Sequence, residues 1–228
     1  ASVQIGANGT TSAIAALERG ELDLVAVGRP LTQAERDRGL DQVTLKREKI
    51  AVIISPENPF DGNLTFTQFA QIFRGEITDW SEVGGEPGPI TFVDRPEQSD
   101  TRLAFEPYNA FQAAPFVSGK TTVRVENDET TDVIDQLGPN GISYALVSHV
   151  LDLDTVKIVP MHKTLPDNPA YPYSQPRAYA FMNPPSEAAS AFLGYGLAEP
   201  GQSAVAIAQD TEAAAIASGL ALASAVAS

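Results

Sequence analysis

Short apolar segments alternate with helical patterns along most of this chain. Residues 50–54 are consecutive apolar residues stopped by Ser55-Pro56, and residues 22–27 form a nearly unbroken apolar run. Runs of this length suit strands that are buried on both faces of a sheet. The alternation of such strands with helices predicts an α/β architecture with largely parallel sheets.

Turn and capping residues bound these elements. Thr32 and either Thr65 or Thr67 are predicted helix N-caps, and Arg74-Gly75 is a predicted helix end. Further strands are predicted at residues 3–5, 90–93, 123–125 and 142–147. Further helices are predicted at residues 13–20, 101–109, 129–137, 186–208 and 211–226.

The net charge limits the partners of the chain. Fifteen Lys and Arg residues against 29 Asp and Glu residues give a formal charge of -14, which repels nucleic acids and anionic membrane surfaces. No apolar run approaches the roughly 18 residues that cross a membrane. We therefore expect no nucleic-acid partner and no direct membrane insertion. The sequence has no cysteine, which excludes disulfides and thiolate metal sites.

One strand-to-helix turn has the composition of an anion site. The sequence FVDRPEQSDTRLAF runs from a strand through Arg95 to Ser99 and Thr101, where a helix is predicted to begin. The first backbone N–H groups of a helix are unpaired and point into such a turn, and an arginine can bind two oxygens of an oxyanion at once. The alternative is a surface arginine beside an ordinary N-cap serine.

Catalytic and metal-binding patterns are missing from the sequence. No Ser-His-Asp order, no Gly-x-Ser-x-Gly elbow and no carboxylate pair placed for acid–base work is evident. His149 and His162 lie too far apart to suggest a metal pair. We expect a protein that is not an enzyme and that has neither a metal nor a cofactor.

Five segments follow one another in an order and spacing typical of one protein family. They read GANGTTSAIAALERGELDLVAVGRPLT, IAVIISPENPFDGNLTFTQFAQIFRGEITDWSEVGG, FVDRPEQSDTRLAF, GISYALVSHV and YPYSQPRAYAFMNPPSEAASAFLGYGLAEPGQSAV. Over residues 3–208 they resemble the phosphate-binding protein of bacterial phosphate ABC transporters, a family of periplasmic substrate-binding proteins. The second and fifth segments are the most specific.

The resemblance implies a type II periplasmic-binding-protein fold, with mixed sheets flanked by helices in two lobes joined by a two-strand hinge. Residues 1–55 and 151–208 would form one lobe and residues 56–150 the other, with the hinge near Ser55 and Val150. Residues 209–228 would be an Ala-rich helical extension. The implied function is a monomeric, periplasmic or extracytoplasmic receptor that binds inorganic phosphate or a related oxyanion and delivers it to an ABC permease.

The resemblance also assigns ligand roles. Arg95 would pair with the anion, and Ser99 and Thr101 would donate hydroxyl and backbone N–H bonds. In the other lobe the matching Gly-rich turn contains Asn8, Gly9 and Thr10. Asn8 could replace a serine of the family as a donor, although asparagine serves equally well in a turn that needs positive φ.

Three departures from the family leave the state of the site open. Members usually begin with a further strand-loop-helix unit, which this sequence lacks at its start. Gly28 stands where the transporter protein often has aspartate, and Asp100 stands where the family has glycine. In one reading Asp100 accepts the proton of monohydrogen phosphate, which would exclude sulfate. In the other it caps the helix and fills the anion site.

These departures keep two other functions open. The chain could be a domain of this fold without anion binding, acting as an interaction, structural or sensor module of a larger envelope protein. The other alternative is a phosphatase-like or periplasmic signalling component that senses phosphate without transporting it.

Overall fold

The computed structural model describes residues 9–151, 153–196, 198–199, 201 and 203. Its helices are α1 (Gly9–Glu18), α2 (Gln33–Asp37), α3 (Phe66–Arg74), α4 (Asp100–Leu103), α5 (Asn109–Gln112), α6 (Thr130–Leu137) and α7 (Glu187–Gly196), with 3-10 turns at Trp80–Val83 and Val147–His149. Its strands are β1 (Val25–Val27), β2 (Leu40–Thr44), β3 (Glu48–Ile54), β4 (Thr91–Asp94), β5 (Val123–Arg124), β6 (Gly141–Leu146), β7 (Lys157–Val159), β8 (Ser174–Gln175) and β9 (Ala178–Met182).

The chain divides into two units. The smaller unit comprises the described residues of 1–48 and 175–210, and the larger unit comprises residues 49–174. The chain therefore passes between the units twice, at residues 48–49 within β3 and at residues 174–175 within β8. The sequence-based division at residues 55 and 151 differs from this one. Residues 151–174 belong with the larger unit because β7 pairs with β3 and because Tyr171 and Tyr173 lie in its core.

The smaller unit is built on a three-stranded sheet in the order β1-β9-β2. Both pairings are antiparallel, with Val25 opposite Ala180 and Leu40 opposite Met182. Ile14 and Leu17 of α1 pack against this sheet and are almost fully buried. The expectation of largely parallel sheets is wrong for this unit, because its central strand β9 runs antiparallel to both β1 and β2.

The larger unit has a six-stranded mixed sheet. Its order is β5-β4-β6-β3-β7, and β8 also pairs with β3. Strand β3 is antiparallel to β6 and β7, whereas β4 is parallel to β5 and β6. This sheet is thus mixed and flanked by helices, as the type II fold predicts.

Strand β3 is buried on both faces. Ile50, Val52 and Ile54 lie in one apolar cluster, whereas Ala51 and Ile53 lie in another. Alternate residues of a strand point to opposite faces of the sheet, so an unbroken apolar run is what two covered faces require. This confirms the interpretation of residues 50–54.

The predicted helix ends are confirmed around α3. Thr65 is the N-cap, and its hydroxyl accepts a hydrogen bond from the backbone N–H of Gln68, whose side chain accepts one in return from the Thr65 N–H. Gly75 ends the helix at φ 70°, a left-handed conformation that glycine adopts without strain. Thr32 caps α2 with the same reciprocal arrangement.

The single helix predicted over residues 101–109 is instead two short helices, α4 and α5. Pro107 lies between them. Proline has no backbone N–H, and it disfavours helical backbone at the residue before it, so α4 cannot continue into α5. Three predicted segments lie wholly or mostly outside the described residues. They are the strand at 3–5, the part of the predicted helix 186–208 that follows residue 196, and the extension at 209–228 with its predicted helix 211–226.

Candidate functional site

The turn between β4 and α4 buries three polar residues that the sequence singles out. Arg95 is 3% exposed, Ser99 2% and Thr101 7%. Ser99 is the N-cap of α4, and its hydroxyl accepts a hydrogen bond from the backbone N–H of Arg102 at 3.3 Å. The structure therefore brings Arg95, Ser99 and Thr101 together in one buried turn, and the interpretation of Arg95 as a surface residue is wrong.

The guanidinium of Arg95 is bound by protein groups. Its Nη1 donates to the side chain of Asp128 at 2.9 Å and to the Asp128 carbonyl at 3.3 Å. Its Nη2 donates to the Thr130 hydroxyl at 3.0 Å, and its Nε donates to the Tyr144 carbonyl at 3.4 Å. Four of the five N–H groups of this side chain thus have partners. Asp128 is the partner with access to water, since its side chain is 41% exposed.

Asp94, the last residue of β4, is the centre of a buried polar network. It is 0% exposed, and its Oδ1 accepts hydrogen bonds from the Tyr144 hydroxyl at 2.7 Å and from the Arg95 backbone N–H at 3.0 Å. Its Oδ2 accepts from Nε of Arg102 at 2.9 Å and from Nη2 of Arg124 at 3.5 Å. Burial, followed by the negative charge of Asp94, raises the pKa of Tyr144, so this hydroxyl stays a donor.

Asp100 is the first residue of α4, but the cap of this helix is Ser99. The backbone carbonyl of Asp100 accepts a hydrogen bond from the Ala104 N–H at 2.9 Å. The second reading of Asp100 is therefore wrong in one respect, because Ser99 and not Asp100 is the N-cap of α4.

In the smaller unit the structure brings two predicted residues together. Thr10, in the first turn of α1, is 3% exposed, and its hydroxyl accepts a hydrogen bond from the Gly28 backbone N–H at 3.0 Å. Gly9 starts α1 at φ 69°, a conformation that favours glycine. Asn8 lies outside the described residues.

Arg29, next to Gly28, is fixed by a two-bond ion pair with Glu35. Nη1 and Nη2 of Arg29 donate to the two carboxylate oxygens of Glu35 at 2.9 and 2.7 Å. The carboxylate also accepts the Thr32 backbone N–H at 2.7 Å. These contacts, the Arg29 hydrogen bonds first, lower the pKa of Glu35 to about 2. This pair holds the end of β1 against the start of α2.

Comparison with known proteins identifies the family. The model of the PBP superfamily domain matches residues 1–199. The chain belongs to this superfamily. A phosphate-binding protein PstS from Bacillus subtilis is 30% identical over 67% of this chain and 50% of its own length. A second PstS, from Borreliella burgdorferi, is 30% identical over 42% of this chain and 34% of its own length. The chain thus spans half or less of the curated relatives it matches.

Solved structures share this fold. A putative phosphate ABC transporter substrate-binding protein from Clostridium perfringens, with bound phosphate, is 25% identical with a TM-score of 0.71 over 89% of this chain and 83% of that one. An ABC-type phosphate transport receptor from Vibrio cholerae is 26% identical with a TM-score of 0.68 over 86% and 82%. These relatives are named as a substrate-binding protein and a transport receptor, in agreement with the expectation of binding without catalysis.

The two histidines make ordinary protein contacts in this member of the superfamily. Nδ1 of His149 lies 3.1 Å from the Thr130 hydroxyl, and Nε2 of His162 accepts the backbone N–H of Phe66 at 3.0 Å. Across the described residues, no group of three or more His, Cys, Asp or Glu residues is placed to hold a metal ion. The same part of the chain has no helix that is long and apolar enough to cross a membrane.

Sequence reasoning missed the residues that support Arg95. Asp94 ends β4, Tyr144 lies in β6, and Asp128 and Thr130 lie in the loop before α6 and at its start, so nothing in their spacing indicates that they converge on Arg95. Sequence reasoning also gave no role to Arg102, which the structure buries at 3% exposure in contact with Asp94. The one available signal was Asp94 itself, a carboxylate that directly follows the apolar residues of β4.

Proposed function

We propose that this chain is the binding domain of an extracytoplasmic receptor for inorganic phosphate or a similar oxyanion, which it delivers to an ABC transporter. The observation that carries the proposal is the turn at residues 95–101, where an arginine and two hydroxyl residues are buried together. The names of the relatives from Bacillus subtilis, Clostridium perfringens and Vibrio cholerae support phosphate as the ligand.

Local donors have to outweigh an unfavourable net charge. The chain carries a formal charge of -14, so the long-range field repels a phosphate dianion. Hydrogen bonds to a charged ligand inside a partly desolvated turn are strong, at about 1.5–3 kcal/mol each. Arg95, Ser99 and Thr101 would supply such bonds, whereas Asn8, Gly9, Thr10 and Gly28 are the proposed ligands of the smaller unit.

Arg95 would change partners when the anion binds. In the structure its Nη1 binds the Asp128 carboxylate, whose side chain is 41% exposed. An oxyanion can take the place of this carboxylate at the guanidinium fork, and the released carboxylate can return to water. The exchange conserves the number of charge-assisted hydrogen bonds on Arg95. The favourable free energy of anion binding therefore has to come from the remaining donors of the turn.

The proposal includes the organisation of the whole receptor. We assign its two predicted lobes to the two units of the structure, with boundaries at residues 48–49 and 174–175. The chain would act as a monomer that presents its ligand to a permease and breaks no bond of that ligand.

Titration calorimetry of the 228-residue chain with phosphate, and then with sulfate, tests the proposal at neutral and acid pH. We expect micromolar or tighter phosphate binding. An Asp100→Gly variant decides between the two readings of Asp100. If the variant binds phosphate more weakly and accepts sulfate, Asp100 is the proton acceptor; if it binds phosphate more tightly, Asp100 obstructs the site. Absence of phosphate binding by the unmodified chain would refute the proposed function.

A further inference from the structure

The two residues that bracket the candidate turn are joined to each other. Asp94 directly precedes Arg95, and Arg102 directly follows Thr101. Nε of Arg102 donates to Oδ2 of Asp94 at 2.9 Å, and the two side chains are 4% and 0% exposed. The ion pair therefore closes a loop that contains Arg95, Ser99, Asp100 and Thr101.

Arg102 contacts two aromatic rings and the hydroxyl of Ser99. The carbon of its guanidinium lies 5.1 Å from the ring centre of Phe73 and 4.7 Å from that of Phe116. Its backbone N–H donates to the hydroxyl of Ser99. The side chain of Arg102 thus connects the start of α4 to Asp94 at the end of β4. Its backbone N–H connects α4 to Ser99, a proposed ligand residue.

Asp94 acts on the other end of the turn. It accepts the backbone N–H of Arg95 through Oδ1, the oxygen that also accepts the Tyr144 hydroxyl. The carbonyl of Tyr144 in turn accepts a hydrogen bond from Nε of Arg95. The backbone and the side chain of Arg95 are therefore both connected to the Asp94 network.

We propose that Asp94 and Arg102 are positioning residues for oxyanion binding, whose buried ion pair sets the geometry of the donors on Arg95, Ser99 and Thr101. This inference rests on the proposed function. Neither residue has to touch the ligand. Binding sites depend on such supporting contacts because donors have to be held within about 0.5 Å of their productive positions. A pair that serves only the stability of the fold would affect unfolding and leave ligand affinity unchanged.

The test measures phosphate affinity and stability in the same variants. Asp94→Asn keeps the shape of the side chain and removes its charge. Arg102→Lys keeps the charge but loses Nε and the planar guanidinium that lies against the two rings. Leu64→Ala is the control, since Leu64 is fully buried in the same unit and its backbone partners are Pro160 and His162. This control lowers stability through a cavity without changing the turn.

Calorimetry of the full chain with inorganic phosphate should distinguish a positioning role of the ion pair from a role in fold stability alone. We expect Asp94→Asn and Arg102→Lys to weaken binding by about tenfold or more, because donor displacements near 1 Å have effects up to about 100-fold. Leu64→Ala should change the phosphate dissociation constant less than about twofold. The combined Asp94→Asn and Arg102→Lys variant should bind no more weakly than the worse single variant. Unchanged affinity in both single variants, or independent effects in the combined one, would overturn the proposal.

Amide hydrogen exchange of the ligand-free protein provides a second measurement. The N–H groups of Arg95, Ser99, Arg102 and Leu103 donate within the turn. Asp94→Asn should accelerate exchange at residues 95–103 and not in α3, whereas uniform or absent acceleration would contradict a positioning role. If the unmodified chain fails to bind phosphate, the proposed function is refuted, and exchange alone then decides whether the pair positions the turn.

Discussion

Replacing Glu35 by glutamine should destabilise the protein at neutral pH and have little effect at acid pH. Glutamine keeps an oxygen that can accept the Thr32 backbone N–H, which Glu35 accepts at 2.7 Å. It removes the negative charge that binds both Nη atoms of Arg29. The substitution therefore isolates the ion pair from the cap of α2.

The magnitude follows from the pKa of Glu35, which its contacts, the Arg29 hydrogen bonds first and those to Thr32 after them, lower from an ordinary 4.5 to about 2. This pKa difference corresponds to an upper value of about 3 kcal/mol in the free energy of unfolding. Since the Arg29 side chain is 24% exposed and solvent screens the pair, we expect about 1–2 kcal/mol. The folded-state pKa is depressed, so this stability is present above pH 4.5 and disappears as the pH falls toward 2.

Urea unfolding of both proteins between pH 7 and pH 2.5 gives the measurement. The difference in unfolding free energy between Glu35 and Glu35→Gln should be about 1–2 kcal/mol at pH 7 and should shrink steadily below about pH 4.5. Comparing the two proteins at each pH cancels the titration of the other carboxylates. A difference that stays constant from pH 7 to pH 2.5 would show that the charge of Glu35 makes no contribution and would refute the reasoning.

Two further substitutions test the packing and the smaller unit. Gly141→Ala should lower stability by about 3 kcal/mol or prevent folding, because the added Cβ would lie 1.8 Å from the Leu137 carbonyl oxygen. Gly88→Ala is the neutral control, since a Cβ there would have no atom within 4 Å. Equal melting temperatures of the two variants would contradict the prediction. Thr10→Val should cost about 1–3 kcal/mol in urea unfolding because the buried Gly28 N–H loses its acceptor. Thr10→Ser keeps the hydroxyl and should be far milder; equal losses in the two variants would mean that this hydrogen bond is unimportant.

Local rules predicted the elements that depend on local sequence. The double-faced burial of β3, the caps at Thr32 and Thr65 and the end of α3 at Gly75 are confirmed. Each of these is decided within a few residues by periodicity, hydrogen bonding or backbone conformation. Pro107 carried a signal of the same kind, and the break between α4 and α5 could have been predicted from it.

Features that join distant parts of the chain could not be predicted from these rules. The antiparallel sheet of the smaller unit needs β9, which lies more than a hundred residues after β1 and β2. The support of Arg95 needs Asp128, Thr130 and Tyr144, which reach it only through the packing of β6 and α6 against β4. The resemblance to a known family supplied the ligand roles, but it gave no indication of the Asp94 network, which depends on burial.

The central claim is that this chain binds phosphate through Arg95, and phosphate calorimetry of an Arg95→Met variant tests it most directly. Arg74→Met is the matched control, since Arg74 is a mostly buried arginine of the same unit that binds Glu76 and the Ala110 carbonyl. The account predicts that Arg95→Met weakens phosphate binding by about 10- to 100-fold, through loss of its charged hydrogen bonds, while Arg74→Met leaves the affinity close to that of the unmodified chain. Equal phosphate affinity in the Arg95→Met variant and the unmodified chain would contradict it.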